Sequence, residues 1–413
     1  MTTLPKSGAD WNKLKAHLRD LKKGDAKWKE GRLPVYVYYY TEELLRISHE
    51  AYMEFFTENA MGGHAFPSVA QLEKEVIEMG LDLLGGGPQS GGTFTSGGTE
   101  SIFLALKSAR EWARTEKGID RPKIVMAYSG HVSVDKSAGY LGMETVRTSL
   151  RPDRRADLKA LEAAIDERTC MLYASAPGYP HGVIDPIEEI GALAKKHGLW
   201  LHVDACVGGF LAPFVREIGY PIPAFDLSVP GVTSLSADLH KYGFAAKGAS
   251  LFLLANSENK KYHRFEFNNW PRGSFLSHTF QGSRAAGPIA SAWAVMNTLG
   301  HEGYREIARV IMDTKKQLIA GVQKIKGLRV IEPGDLSILM YDSIDPKVDI
   351  YAVAERMGKK DWFVGRSTTP KAIHVVLNPA ITPALDQYLG DLAEAVEHVR
   401  STQEVGNVDH RSY

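Results

Sequence analysis

Two lysines stand in the stretch SADLHKYGFAAKGAS, Ser236 to Ser250, among Gly, Ala, Ser and aromatic residues. Lys241 directly follows His240, and Lys247 lies six residues on. A lysine amine attacks a carbonyl only when neutral, and its free pKa is about 10.4. Apolar burial and nearby cations favour the neutral form, and LHKYGF supplies surroundings of that kind. Upstream, GGTFTSGGTESIFLALKSAREW runs from a glycine-rich turn straight into a helical pattern with Ile102, Leu106 and Ala109 on one side. Free N–H groups and the positive helix end at such a turn suit a phosphate; a capped helix start after a flexible loop is the alternative. The turn is neither a P-loop nor a G-x-G-x-x-G fingerprint. His131 follows the strand-like KIVMAY and can stack on a planar group, move a proton, or simply be packed. Asp204 closes the apolar LWLHVDA, where it can pair with a cationic ring nitrogen or cap the next turn.

These residues need a scaffold that brings four distant segments together. KIVMAY, CMLYAS, LWLHVDA, TSLSA and SLFLL read as strands. Between them, DLKALEAAIDE places Leu158, Leu161 and Ile165 on one helical face. DPIEEIGALAKKHG has Asp185 as N-cap, Pro186 at the first helical position and Gly198 as terminator. The alternation predicts an α/β architecture with a mostly parallel sheet covered by helices. Ligands bind such sheets beyond the carboxyl ends of the strands. After residue 300 the pattern changes to a long helix from Glu302 to about Lys326. Strand-like LRVIEP, LSILMY, WFVGR and AIHVVL follow, and the helical PALDQYLGDLAEAVEHVR closes the series. The division expected is an N-terminal arm at 1–60, a large domain at 61–300 and a small α+β domain at 301–413, with GNVDHRSY as a loose tail.

Composition narrows the functional class. Lys+Arg and Asp+Glu both number 49, so the formal net charge is zero, which argues against broad nucleic-acid or membrane-surface binding. The two cysteines, Cys170 and Cys206, have no metal-type spacing, and no metal site is expected. No apolar run approaches the roughly 20 residues of a membrane span, and the first residues lack the apolar core of a signal peptide. The expectation is a cytoplasmic protein.

In chain order the constellations are a phosphate-type turn, a histidine, a strand-end aspartate and a His-Lys pair. That is the order in which a fold-type I pyridoxal-phosphate enzyme presents its cofactor site. Such a cofactor needs a phosphate cradle, a carboxylate for its ring nitrogen and a lysine for its aldehyde. TSGGTESI, PHGVIDPI, HVDACVGGF, SADLHKYGFAAKGAS and QGSR together resemble the sphingosine-1-phosphate lyase family, within the group II pyridoxal-phosphate decarboxylase superfamily. The likeness runs from about Trp28 to about Arg400.

The resemblance implies a fold-type I transferase fold with a mostly parallel seven-stranded sheet and a small C-terminal domain. It implies pyridoxal 5'-phosphate on Lys241, with His240, Gly98 and Thr99 at the phosphate, His131 on the ring and Asp204 at the ring nitrogen. Gly282 and Ser283 would reach the phosphate from the neighbouring subunit of a homodimer. Lys247 would lie near the substrate phosphate and the catalytic centre, Tyr38 would assist proton transfer, and Asn59 would begin a substrate-contact loop. The implied reaction is retro-aldol cleavage of a 2-amino-3-hydroxyalkyl phosphate to a fatty aldehyde and phosphoethanolamine, with Lys241, Lys247, Tyr38 and His131 as catalytic residues. The rivals are amino-acid decarboxylation on the same electron sink and a non-catalytic cofactor binder. Two departures bear on the substrate. Family members read close to N-P-L-H-P-D before FPS, whereas this chain reads NAMGGHAFPS, with Gly62 at the histidine's place and His64 two positions later. The small-residue context of the arm tyrosine is also replaced, giving VYVYYYT.

Overall fold

The computed structural model describes residues 3–407 apart from 34 and 62. Gly62 and most of the expected tail, 408–413, therefore lie outside the described residues. Three helices come first: α1 (Trp11–Leu21), α2 (Glu42–Glu54) and α3 (Pro67–Leu83). Thr41 caps α2 by accepting from the Leu44 N–H at 3.2 Å. No residue of α1 is buried.

A strand-helix alternation follows: β1 (Gly91–Thr95), α4 (Gly98–Lys117), β2 (Lys123–Ala127), α5 (Ser133–Leu141), β3 (Glu144–Thr148), α6 (Leu158–Ala163), β4 (Thr169–Ser175), α7 (Ile187–His197), β5 (Trp200–Asp204), α8 (Ala212–Glu217), β6 (Ser234–Ala237) and β7 (Ser250–Leu254). The seven strands form one sheet in the order β1-β7-β6-β5-β4-β2-β3. Only β7 runs against its neighbours, β1 and β6. The central strands are buried from end to end, which explains their continuous apolar sequences. Register matters for the chemistry. Ser175, Asp204 and Ser236 stand side by side across β4, β5 and β6. Leu201 and Val203 are fully buried, each worth about 1.5–3 kcal/mol. A one-residue slip would turn them and Asp204 to the opposite faces.

A short hairpin, β8 (Phe265–Phe267) and β9 (Phe275–Ser277), leads into the helix α9 (Gly287–Lys324). Gly300 (φ 52°, ψ −171°) is non-helical and divides α9 into two helical segments, of which the second is the helix expected from Glu302 to about Lys326. Then come β10 (Leu328–Glu332), β11 (Ile338–Ser343), α10 (Ile350–Lys359), β12 (Gly365–Thr368), β13 (Lys371–Val376) and α11 (Leu385–Thr402). Their antiparallel sheet runs β10-β11-β13-β12. WFVGR is strand only at its end, since the Trp362 indole N–H is drawn to Asp391 at 2.8 Å. Asp185 does not cap α7; Pro186 occupies that place. The Asp185 carboxylate accepts instead from Ala156 N and Ser175 N, both at 2.8 Å, and burial pushes its pKa up to about 6.

Candidate active site

A cavity of about 890 Å³ lies beyond the carboxyl ends of the parallel strands, and five expected groups meet in its wall. These are the α4 turn with Gly98 and Thr99, His131 after β2, Asp204 at the end of β5, the His240-Lys241 pair after β6, and Lys247. Tyr38 joins them from the segment before α2. Gly97 opens α4 at φ 156° and ψ 167°, a backbone region open essentially to glycine. A Cβ on Gly98 would fall 2.7 Å from the Cys206 sulfur and 3.0 Å from either Asp238 oxygen, so only glycine lets the turn sit this close to β6. Glu100 fixes the turn by accepting from the Ser96 N–H at 2.7 Å and its hydroxyl at 2.6 Å.

Asp204 is buried in the cavity wall. The Tyr173 hydroxyl donates to one oxygen at 2.5 Å, and the Cys206 N–H to the other at 3.0 Å. Burial opposes its charge, but His131, Tyr173, Cys206 and Lys241 together hold its pKa below the usual carboxylate value. His131 takes the Ser133 N–H on Nδ1 at 3.2 Å, so its ring proton sits on Nε2. Burial lowers its pKa against the pull of Asp204.

The two lysines differ in their electrostatic surroundings, and not in the way LHKYGF suggests. Lys241 is not held neutral. Its ammonium lies 2.9 Å from an Asp238 oxygen. Burial works against the charge, yet Asp238 outweighs it and raises the lysine pKa. Lys247 instead is brought down to about 8, first by desolvation in the cavity wall and then by the charge on Lys241. Its ammonium donates to the His240 carbonyl at 3.0 Å and lies 5.3 Å from the centre of the Tyr38 ring. That ring packs edge-on against Tyr242 at 4.8 Å. His240 is 3.6 Å from Asp238, and burial lowers its pKa.

Asp238 is the important residue that the sequence reading passed over. It is 2 % exposed, and its Oδ1 has no hydrogen-bond partner. The signal was present: Asp238 follows β6 as Asp204 ends β5, and it stands three residues before Lys241.

Four expected residues do not join this cavity within the chain. Gly282 and Ser283 are exposed, and Gly282 lines a separate cavity of about 560 Å³. Asn59 is also outside the wall of the Lys241 cavity. It bridges to Ala285, and its side-chain oxygen accepts from Met61 N at 2.9 Å and Arg284 N at 3.1 Å. Arg284 completes the link by pairing with Glu73 at 2.7 Å and donating to the Ala60 carbonyl at 2.9 Å. The Asn59 loop and the QGSR segment are thus one tied unit. His64 is exposed and outside the Lys241 cavity wall.

The donor set fits a phosphorylated, cationic aromatic ring carrying an aldehyde: helix N-terminal amides, a buried carboxylate, an imidazole and a lysine. Among the described residues, no cluster of His, Cys, Asp or Glu is arranged for a metal, and no helix is long and apolar enough to cross a membrane.

Comparison with known proteins agrees with this chemistry. Residues 4–338 match the pyridoxal-dependent decarboxylase conserved domain. The chain is 40% identical over 408 residues to the sphingosine-1-phosphate lyase of Oryza sativa subsp. japonica, covering 97% of this chain and 75% of that one. It is 38% identical over 400 residues to sphingosine-1-phosphate lyase 1 of Rattus norvegicus, covering 96% and 70%. The solved structure of the Burkholderia pseudomallei sphingosine-1-phosphate lyase superposes with a TM-score of 0.93 at 34% identity, over 98% of this chain and 94% of that one. Glutamate decarboxylase of Lactobacillus brevis shares the fold, with a TM-score of 0.86 at 19% identity.

Proposed function

The chain belongs to the sphingosine-1-phosphate lyase family of pyridoxal-phosphate enzymes, and from that premise we propose that it cleaves the C2–C3 bond of a 2-amino-3-hydroxyalkyl phosphate. In this reading Lys241 holds the cofactor's aldehyde carbon and Asp204 keeps its ring nitrogen protonated. His131 covers the ring face, and the amides at Gly98 and Thr99, with His240, hold its phosphate. Gly282 and Ser283 serve the neighbouring copy of a homodimer, and Asn59, tied to the same segment, goes with them. When bound, the cofactor supplies an electron sink for the carbon that loses its bond.

The chain's own residues then handle two protons. Lys247, with its pKa brought down to about 8, takes the proton of the C3 hydroxyl, with Tyr38 beside it. Loss of that proton would let the C2–C3 bond break and C3 leave as an aldehyde. Lys241, set free when the substrate's amine takes its place and kept an ammonium by Asp238, would return a proton to C2, and phosphoethanolamine would be released as Lys241 takes that place back. The observation that carries this reading is the placement of two lysines on one cavity wall, Lys241 against the Asp238 carboxylate and Lys247 with its pKa brought down to about 8.

Decarboxylation would call for a cation aimed at a substrate carboxylate, and no arginine lines the Lys241 cavity among the described residues. The test is incubation with dihydrosphingosine-1-phosphate and with shorter analogues. Release of aldehyde and phosphoethanolamine in equal amounts is expected. Carbon dioxide from amino acids, with no aldehyde from any phosphate, would overturn the lyase reading in favour of a decarboxylase.

A further inference from the structure

We propose that Tyr36 is a specificity-determining residue whose ring divides the Lys241 chamber from a second chamber and limits the substrate's carbon chain beyond C3. The inference rests on reading the Lys241 cavity as the reaction chamber.

A second cavity, also about 890 Å³, adjoins the first. Val35, Tyr36, His131, Val132 and Tyr179 belong to both walls, so any passage between the chambers runs among these five residues. The inner chamber holds the groups that would engage the amine and the phosphate of the substrate. A chain on C3 that extends towards the outer chamber passes among these residues.

The backbone at Tyr36 is unusual. Its φ is 71°, and the Val37 N–H donates across it to the Val35 carbonyl at 3.0 Å. This is a γ-turn of the positive-φ kind, rare and strained for a bulky side chain. The flanking chain imposes it. On one side the Arg32 carbonyl accepts from the Phe363 N–H at 2.9 Å, and the Arg32 guanidinium lies 4.1 Å from the centre of the Trp362 ring. On the other, the Val37 carbonyl accepts from Asn378 at 3.4 Å, and Tyr38 is packed on Tyr242. A chain pinned at both ends bulges between them, and the bulge carries a tyrosine into the passage.

Glycine would satisfy this turn at no steric cost. The tyrosine also contributes little to the core, since it remains 39% exposed. Its ring meets Phe363 edge-on at 5.5 Å, and that pair closes one side of the outer chamber. Strain kept at a residue that fills a passage between two cavities is accounted for by selection of what passes. A slim or short chain is accepted, and a long alkyl chain must displace the ring.

The test uses the cofactor-loaded enzyme and 2-aminoalkyl phosphates of graded chain length. These lack the C3 hydroxyl and bind without being cleaved, and Kd is read from the visible absorption of the bound cofactor. In the wild type, affinity should stop improving once the chain reaches the passage. In Tyr36→Ala and Tyr36→Gly it should continue to improve, so that the longest members bind about tenfold more tightly than in the wild type, the gain from moving about two further methylenes out of water. The shortest members should bind all forms alike. Tyr36→Phe keeps the ring and should follow the wild type. An unchanged dependence on chain length in both the alanine and glycine variants would overturn the proposal, as would an equal change at every length. Because Kd requires no turnover, binding without cleavage of the hydroxylated counterparts would count against the lyase reading while still deciding the role of Tyr36.

Discussion

Lys247 offers the sharpest quantitative test, because its pKa is shifted in the opposite direction from that of Lys241 on the same wall. Its pKa is brought down to about 8 by desolvation and by Lys241. The neutral amine is the active base in the proposed step, so the active fraction grows as pH rises through that value. About a tenth of the enzyme would carry neutral Lys247 at pH 7 and about nine-tenths at pH 9. Below the midpoint, kcat/KM should therefore fall about tenfold per pH unit, and above it the profile should level off. Lys247→Arg keeps a positive charge over the whole range and cannot act as the base. It should lower kcat/KM by roughly 10²–10⁴-fold, the usual contribution of a positioned general base, and should remove the rising limb. The assay is aldehyde release across pH 6 to 9.5 at low substrate. A rising limb centred near pH 8 that survives in Lys247→Arg would assign the ionisation to another group and refute the assignment. A limb displaced far above 8 would refute the electrostatic argument itself.

Asp238→Asn should destabilise the fold by about 3–5 kcal/mol in urea unfolding at pH 7, because it leaves the Lys241 ammonium without its buried partner. Asp238 has a pKa below its ordinary value despite burial, owing to Lys241 and His240. Its stabilisation is therefore present above about pH 3.9 and is lost as pH falls through the lower folded value, so the wild type should lose its advantage over the variant in acid. Arg284→Met should cost about 2 kcal/mol. It should also speed hydrogen exchange at the Ala60 and Met61 amides, which are tied to the Arg284 carbonyl and the Asn59 side chain. Unchanged exchange there would show that the Asn59 loop does not depend on this tie.

Much of the site was legible because its parts are local features of strand ends. Asp204 and His131 follow apolar runs, and the α4 turn announces itself by glycine. What the sequence could not show depends on contacts between segments distant in the chain. Asn59 and Ala285 form a bridge 226 residues apart that leaves no periodic trace. Asp185 stands in an N-cap context, yet two buried N–H groups from other segments claim its carboxylate. Trp362 sits in a strand-like run but is taken by Asp391 from α11. The charge on Lys241 was misread for the same kind of reason. Apolar neighbours in sequence argued for a neutral amine, and a single carboxylate brought within 2.9 Å reverses that.

That carboxylate also explains why two lysines can share one cavity without sharing a role. The segment after β6 folds back on itself, with the His240 N–H donating to the Ala249 carbonyl at 3.1 Å. This return sets Lys247 against the backbone of His240, close enough for the charge on Lys241 to lower its pKa. Two ammonium groups in such a wall would both be driven towards neutrality if they were treated alike. Asp238 removes the symmetry, since it touches Lys241 directly and acts on Lys247 only as a lesser influence than burial and the Lys241 charge. Lys241 stays charged, and its charge in turn helps to discharge Lys247. In the proposed reaction the six-residue spacing thus makes an acid and a base from the same side chain, with one buried aspartate setting their pKa values apart.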